Sequence, residues 1–315
     1  MASFMRSSRG AAVLAVFCGF LWGSAYPVLK ICFDSLGITG EDIRMKMAFA
    51  GMRFFLASLL ILGFYRLVLR GPLTMRKDIV WKSALVGLFQ TTLLYYFFYN
   101  GLSRVSGMKS SILTSMGSFF LVILAHYLYE DDRMHRGKVA GLLAGFAGIV
   151  AVNWGGDFTW VFSWGGEGFL VMSALVTAVG DLLAKRFSRD IHSFYLTFVQ
   201  MLLGSLLLLI PSWGEAGRIL AGLTSVTWVL FLYSAVLSAA AFSIWFTLLK
   251  YHKAGEIALY RFVMPVAGTL LSALFLPEET LSVNILVGLV LVSAGLIRVN
   301  REGRIREKAL LRTEI

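Results

Sequence analysis

The chain has few charged residues and few cysteines for its length of 315 residues. Only 15% of the residues are Asp, Glu, Lys or Arg, and there are two cysteines, four histidines and five prolines. A soluble protein carries about 25% charged residues, so this shortage argues against a soluble protein. Cys18 and Cys32 both lie in the first apolar segment. They are expected to pack as small apolar residues and not to form a disulfide framework.

The sequence also lacks the common motifs of catalysis and of metal or phosphate binding. It contains no glycine-rich phosphate loop, no Cys or His pair at metal-ligand spacing and no nucleophile elbow. The sequence therefore predicts no enzyme activity, no metal, no cofactor and no ATP-driven transport by this chain alone. A cleavable signal peptide is not expected, because the apolar run from Gly10 to Cys32 is too long for one.

Hydrophobic sequence is what the chain has in abundance. Apolar residues make up 58% of it, and the mean hydropathy is +0.76. Ten apolar segments can cross about 30 Å of hydrocarbon, which takes roughly 20 helical residues. They are Gly10–Cys32, Met47–Leu69, Val80–Leu102, Ser110–Tyr129, Val139–Trp154, Gly166–Ala184, Ser193–Trp213, Val226–Leu249, Glu256–Leu276 and Val283–Val299. The pattern predicts an all-α polytopic membrane protein with ten transmembrane helices.

The positions of Lys and Arg predict the orientation of these helices. The net charge of +11 is spread over the loops and forms no patch that would favour nucleic acid as a partner. Most of the 29 Lys and Arg residues lie in the loops on the same side as the N-terminus. The basic loop residues on the other side are Lys30, Arg44, Lys46, Arg104, Lys109 and Arg218. By the positive-inside rule, both termini are expected in the cytoplasm, with the chain in a cell inner (plasma) membrane of bacterial type.

One stretch of the chain occurs twice at a constant interval. Gly107, Met116, Ala125, Leu128 and Glu130 return as Gly255, Met264, Ala273, Leu276 and Glu278. The duplication predicts five-helix repeats at residues 1–154 and 166–300, an extracytoplasmic linker at 155–165 and a cytoplasmic tail at 301–315. Because each repeat has an odd number of helices, the second is inverted relative to the first. Inverted repeats are typical of secondary transporters.

Five motifs occur in a characteristic order along the chain. They are FLWGSAYPVLK from Phe20, MRFFLAS around Arg53, FYNGLSRVSG from Phe98, SAAAFSIWFTLLKYHKAGEIAL from Ser238 and MPVAGTLLSALFLPEE from Met264. Together they resemble the ten-helix, EamA-type branch of the drug/metabolite transporter superfamily. The resemblance implies a five-plus-five inverted repeat around a cavity lined by helices one, three, four, six, eight and nine. It also implies transport of small metabolites, often export of amino acids. Gly117 departs from the family pattern, which commonly has a proline there.

Three charged residues lie within predicted helices. Arg261 can bind a carboxylate or phosphate bidentately, and its alternatives are a structural ion pair with Asp181 or snorkelling to the membrane surface. Asp181 can bind a substrate amine or relay a proton, or it can pair with Lys185, four residues later on the same helix face. Arg53 is interpreted as a structural residue that bonds to loop carbonyls.

Aromatic and polar residues of several helices are the other candidates for a substrate cavity. Tyrosine hydroxyls in hydrocarbon need hydrogen-bond partners, and Pro27 leaves a backbone carbonyl of the first helix free. Helix packing explains any single one of these residues equally well. With Asp181 and Arg261, the candidate substrate-binding residues are Trp22, Tyr26, Gln90, Tyr95, Tyr99, Ser115, Thr177, Ser238, Trp245 and Tyr260.

These features predict a secondary transporter that exports a small polar metabolite, such as an amino acid or a derivative, by alternating access around a midplane cavity. In this hypothesis Arg261 binds the substrate carboxylate and aromatic residues enclose the side chain. The alternatives are an organic cation with Asp181 as its counter-charge, a phosphorylated metabolite, and a membrane-embedded enzyme or scaffold. The expected partners are the small-molecule substrate and the lipid bilayer. A coupling proton or other ion stays open, as does the choice between monomer and homodimer.

Overall fold

The computed structural model describes residues 2–74, 76–102, 104–105, 107–152, 162–275 and 283–297 without 285, 289 and 296. The described residues form helices and connecting turns, and no strand is found among them. The α-helices are α1 (Ala2–Arg6), α2 (Ser8–Ser35), α3 (Ile43–Leu67), α4 (Lys77–Gly87), α5 (Leu94–Leu102), α6 (Gly107–Leu128), α7 (Arg136–Val152), α8 (Phe169–Phe187), α9 (Ser193–Leu209), α10 (Trp213–Gly222), α11 (Ser225–Tyr251), α12 (Ala254–Ala258) and α13 (Val263–Phe275). Helical residues recur between 283 and 297.

Short turns of other helix types join several of these helices end to end. A π-helical turn at Leu88–Leu93 connects α4 to α5, and a second one at Trp164–Gly168 precedes α8. Turns of 3-10 helix at Ile210–Ser212 and Leu259–Phe262 connect α9 to α10 and α12 to α13. The continuous helices that result overlap the predicted apolar segments, but the one that begins at Ser193 ends at Gly222 and not at the predicted Trp213.

Six helical stretches in the described part of the chain are long and apolar enough to cross a membrane. They are Ser8–Ser35, Ile43–Leu67, Trp164–Phe187, Ser193–Gly222, Ser225–Tyr251 and Ala254–Phe275, and shorter apolar helices include Leu113–Leu128 and Leu286–Gly295. The prediction of an all-helical polytopic membrane protein is thereby confirmed. The count of ten membrane crossings, the repeat boundaries and the location of the termini stay predictions. Most of the predicted linker and the whole predicted tail at 301–315 lie outside the described residues.

Small residues let α2 and α13 pack closely together. A β-carbon added to Gly23 would lie 2.8 Å from the β-carbon of Ala267 and 2.9 Å from the carbonyl oxygen of Met264. One added to Gly268 would lie 2.7 Å from the ring of Tyr26. Small residues at helix contacts allow such close approach in lipid. Since α2 and α13 fall in different predicted repeats, this contact connects the two.

A polar contact connects the α6–α7 turn to the start of α12, at the end of the bundle away from the α2–α3 loop. Asp132 is almost fully buried and forms an ion pair with Lys138. The second carboxylate oxygen of Asp132 accepts a hydrogen bond of 2.8 Å from the N–H of Gly255. A carboxylate at a helix N-terminus satisfies backbone N–H groups that have no partner within the helix. The contact therefore holds the two segments together at this end.

Lys185 has other partners than Asp181, with which the sequence predicted an ion pair. Its ammonium group donates hydrogen bonds to the carbonyl oxygens of Leu249 and His252, at 3.1 and 2.5 Å. These carbonyls belong to the C-terminal end of α11, where they have no helical N–H partner. Lys185 therefore caps a neighbouring helix, and the predicted i,i+4 pair with Asp181 is wrong.

Candidate functional site

A cavity of about 470 Å³ lies between the helices. Its walls come from α2, α3, α5, α6, α8, α11 and α13, together with the turns that precede α5 and α13. It reaches Thr39 and Gly40, both exposed residues of the α2–α3 loop, so it opens at that end of the bundle. Its volume lies in the range of about 300–1,000 Å³ that is typical of small-molecule sites.

The cavity collects most of the candidate residues that the sequence suggested. Trp22, Tyr26, Gln90, Tyr95, Tyr99, Thr177 and Arg261 line it. The remaining candidates, which do not form its walls, are Ser115, Asp181, Ser238, Trp245 and Tyr260. Of these, Ser115 is partly exposed and the other four are buried. The roles of all these residues in binding stay predictions.

Asp181 and Arg261 form an ion pair at the inner end of the cavity. The distance from Nη2 of Arg261 to Oδ2 of Asp181 is 2.6 Å. The other carboxylate oxygen, Oδ1, accepts hydrogen bonds from Nε2 of Gln90 at 2.7 Å and from Nε1 of Trp245 at 3.2 Å. Asp181 has no exposed surface. The structural alternative for Arg261, an ion pair with Asp181, is therefore present.

A π-helical turn places Gln90 beside Asp181. The turn covers Leu88–Leu93, and Gln90 donates a second hydrogen bond to the carbonyl oxygen of Thr177, at 3.3 Å. Gly180 makes room for this side chain, because a β-carbon there would lie 2.7 Å from Cγ of Gln90. Turns of π-helix are rare and frequently occur at functional sites. The turn thus links the cavity wall on the third predicted helix to the buried carboxylate.

Two indole rings hold the guanidinium of Arg261 from the other side. Its central carbon lies 4.8 Å from the ring centroid of Trp245 and 5.5 Å from that of Trp22. The two indoles contact each other edge to face, with centroids 5.1 Å apart. Cation–π contacts of this kind add to the ion pair. Trp22 and Trp245 therefore position Arg261 in addition to any contact with a substrate.

Arg53, which the sequence analysis interpreted as a structural residue, is a further candidate for the site. Its side chain lines the cavity although only 2% of its surface is exposed. The guanidinium carbon lies 4.4 Å from the ring centroid of Phe54 and 5.3 Å from that of Tyr95. Nε has no hydrogen-bond partner, and Arg53 makes no ion pair with any carboxylate in the described part of the chain. The interpretation of Arg53 as a residue bonded to loop carbonyls is wrong.

A sequence signal for the orientation of Arg53 does exist. Lys46 precedes it by seven residues on α3, which places the two side chains on the same helix face. Both line the cavity. The family resemblance implied a cavity without a contribution from the second helix, so α3 enlarges the expected set of lining helices.

The mouth of the cavity is ordered by hydrogen bonds within the α2–α3 loop. Both the backbone N–H and the hydroxyl of Thr39 donate to Oδ2 of Asp42, at 2.8 and 2.6 Å. These bonds hold the pKa of Asp42 below its usual range. Lys46 donates to the carbonyl oxygen of Gly40 at 2.7 Å. The loop therefore keeps a fixed shape where a solute would enter.

Comparison with known proteins identifies the chain's family. The family model described as "EamA-like transporter family" matches residues 9–154 and 164–301. The chain belongs to the EamA-like transporter family. Two relatives from Bacillus subtilis (strain 168) are named as uncharacterized transporters, YvbV and YetK. YvbV is 26% identical over 95% of this chain and 94% of its own. YetK is 27% identical over 78% of this chain and 76% of its own.

A protein of known crystal structure shares the fold of this EamA-like transporter. The two structures align with a TM-score of 0.72 at 18% sequence identity, over 92% of this chain and 98% of the other. Family membership confirms the resemblance that the sequence motifs carried. It also identifies the chain as a transporter embedded in the lipid bilayer and not as an enzyme.

Proposed function

We propose that this EamA-like transporter is a secondary transporter that exports a small polar metabolite, such as an amino acid or a derivative. The observation that carries the proposal is the cavity, whose walls come from both predicted repeats and which opens toward the α2–α3 loop. Trp22 and Arg53 belong to the first repeat, and Thr177 and Arg261 to the second. A site between two repeats can be exposed to each side of the membrane in turn when one repeat moves against the other.

The proposed topology has ten transmembrane helices, with an inverted repeat at 1–154 and 166–300. The protein lies in the cell inner (plasma) membrane, with both termini in the cytoplasm. The distribution of Lys and Arg supports this orientation. The α2–α3 loop is then extracytoplasmic, and the open cavity corresponds to an outward-open state. The buried contact of Asp132 with Gly255 lies at the cytoplasmic end and closes it.

The proposed energy source is the gradient of the substrate itself or of a coupling ion. The sequence has no phosphate loop that would bind ATP. The contacts of Asp181 favour a structural carboxylate over a proton relay, because three donors already bind its two oxygens. We therefore assign no coupling ion to this residue. A monomer and a homodimer are equally compatible with the proposal.

An organic cation is the alternative substrate, and the contacts of Asp181 support it less well. A cation would need Asp181 as its counter-charge, but this carboxylate does not line the cavity and is already paired with Arg261. Phosphorylated metabolites are the second alternative. All three classes can be compared in one transport experiment.

The test is counterflow into proteoliposomes that contain the purified protein. Three radiolabelled panels are compared: the twenty amino acids, organic amines and phosphorylated metabolites. Saturable exchange of at least one amino acid is expected. Exchange of amines alone would contradict an amino acid as the substrate and would show that the substrate is an organic cation. If no solute of any panel shows saturable exchange, the transport proposal is contradicted.

A matched pair of tryptophan variants tests whether solutes pass through the cavity. Leu94 lines the cavity, whereas Leu59 is 44% exposed on the outside of the helix bundle. Leu94→Trp adds bulk to the path and is expected to reduce counterflow by more than about tenfold, since a blocked site cannot bind. Leu59→Trp adds the same bulk on the lipid-facing surface and is expected to leave counterflow unchanged. Equal rates in the two variants would contradict a route through this cavity.

A further inference from the structure

We propose that Arg53, and not Arg261, binds the carboxylate of the transported solute. This inference deepens the proposed function and rests on it. It assigns to the cavity a site for a monocarboxylate with an apolar or aromatic body. Arg261 is then a positioning residue that shapes the inner end of the cavity.

The charges around the cavity distinguish the two arginines. The positive charge of Arg261 is already offset by Asp181, with 2.6 Å between Nη2 and Oδ2. A substrate anion at Arg261 would also lie next to the Asp181 carboxylate, which would repel it. Arg53 has no such partner among the described residues. An anion bound there would meet an uncompensated positive charge.

The burial of Arg53 increases the free energy that it would gain from a bound anion. Only 2% of the surface of Arg53 is exposed, whereas the side chain of Arg261 is 18% exposed. The Nε of Arg53, like that of Arg261, has no hydrogen-bond partner. A buried cation without a counter-ion is unfavourable, and a bound anion removes this cost by ion pairing and hydrogen bonding. A guanidinium can donate two parallel hydrogen bonds to a carboxylate. The guanidinium carbon already lies against the neighbouring rings of Phe54 and Tyr95, 4.4 and 5.3 Å from their centroids.

Tyr99 supplies a second free polar group beside Arg53. Its hydroxyl lies within reach of the Arg53 guanidinium but has no hydrogen-bond partner in good geometry, and the side chain is only 4% exposed. Tyr99 also lines the cavity. A carboxylate at Arg53 would accept a hydrogen bond from this hydroxyl and so satisfy both unpartnered groups at once.

The other walls of the cavity are mainly apolar and aromatic, and they determine which solute side chains fit. The rings of Trp22, Tyr26, Phe33, Phe98 and Phe242 line it together with Leu29 and Leu94. Such walls favour an apolar or aromatic side chain. Lys46 also lines the cavity but lies at its mouth, where it donates to the carbonyl oxygen of Gly40, so Arg53 is the cation beside these aromatic walls. One guanidinium matches one carboxylate better than a phosphate, which carries about two negative charges at neutral pH. The site is therefore assigned to monocarboxylates.

The experiment compares probes of the same shape and different charge on the purified full-length protein. The probes are L-phenylalanine, 3-phenylpropionate, the uncharged 3-phenylpropionamide and 2-phenylethyl phosphate. Dissociation constants come from the rise in melting temperature with probe concentration. In the unmodified protein, at least one of the two carboxylates is expected to bind about tenfold or more tightly than 3-phenylpropionamide, as a charge-assisted hydrogen bond implies.

The variants separate binding by Arg53 from a structural role. In Arg53→Gln the preference for carboxylate over amide is expected to disappear, whereas Arg53→Lys retains part of it because the charge remains. Arg218→Gln is the matched control, since it removes one exposed positive charge that the sequence places on the same side of the membrane. It is expected to retain the full preference. If Arg53→Gln does not fold, Arg53→Lys and Tyr99→Phe are tested in its place. Each is expected to weaken binding of the two carboxylate probes and to leave binding of the amide unchanged.

Three results would overturn the inference. The first is an unchanged carboxylate preference in Arg53→Gln, and the second is loss of that preference only when Arg261 is replaced. The third is that neither carboxylate binds the unmodified protein, or that the phosphate binds more tightly than both. Saturable counterflow of another solute would in each case leave the transport proposal standing, so the two proposals fail separately.

Discussion

The buried carboxylate of Asp181 organises the inner end of the cavity through contacts with three other helices. It receives one charged and two neutral donors, from Arg261, Gln90 and Trp245. Taking a charged pair out of water is costly, so such a pair is stable only when its oxygens are satisfied. Asp181 meets this condition, and Arg261 depends on it for charge balance.

Loss of this carboxylate is expected to destabilise the protein. In Asp181→Asn, Arg261, whose side chain is 18% exposed, loses its counter-ion, and the free energy of unfolding is expected to fall by an amount at the lower end of about 3–5 kcal/mol. The double variant Asp181→Asn with Arg261→Gln removes the uncompensated charge and is expected to be more stable than Asp181→Asn alone. Melting temperatures in detergent measure both. A double variant less stable than Asp181→Asn would contradict this account.

An exposed acidic residue serves as the control for Asp181. Asp190 forms an ion pair of 3.6 Å with Lys82, and 73% of its side chain is exposed. Exposed pairs contribute about 0–1 kcal/mol. Asp190→Asn is therefore expected to melt close to the unmodified protein.

Helix α2 depends on glycine for its contact with α13. The β-carbon of any other residue at position 23 would meet backbone atoms, with 2.8 Å to the nitrogen of Gly268 and 2.9 Å to the oxygen of Met264. Backbone atoms cannot rotate away as a side chain can. The two helices would have to separate, and the cavity wall that they form would shift with them.

Two glycine variants test the helix contact. Gly23→Ala is expected to lower the melting temperature and to weaken solute binding. Gly63→Ala lies within α3, where a β-carbon would have no neighbour within 4 Å. It is expected to be neutral or to stabilise the protein by up to about 1 kcal/mol, since alanine favours helices over glycine. Equal melting temperatures for the two variants would show that α2 and α13 do not need this close approach.

The α6–α7 turn and α12 are expected to act as the closed end in transport. Asp132 joins them through Lys138 and the N–H of Gly255, so this contact must break before the opposite end can open. Asp132→Ala is expected to shift the protein toward the inward-open state. A cysteine at Leu94 in the cavity should then react several-fold more slowly with an impermeant thiol reagent added outside. An unchanged rate would contradict this role, and Asp190→Ala provides the control.

At the scale of the whole molecule, hydropathy predicted the helices well because lipid requires long apolar segments with satisfied backbones. Lateral contacts between helices were harder to predict. The local spacing of Asp181 and Lys185 favoured a pair on one helix, but Arg261 from another helix takes that place. The π-helical turn at Leu88–Leu93 has no signal in the hydrophobic pattern, although it places Gln90 against Asp181.

The orientation of Arg53 depends on how α3 packs, and sequence spacing alone does not fix it. Its seven-residue separation from Lys46 shows that the two share a helix face. Only the packed bundle shows that this face borders the cavity and that no described carboxylate accompanies the arginine.

Access to one cavity position from both sides of the membrane is the most direct test of alternating access. The measurement uses Leu94→Cys in a chain whose two buried cysteines, Cys18 and Cys32, are replaced by alanine. An impermeant thiol reagent is added either outside or inside sealed vesicles of known protein orientation. Our account predicts reaction from both sides, with rates that change in opposite directions when a transported solute is added. Reaction from the outside only, with or without solute, would contradict it.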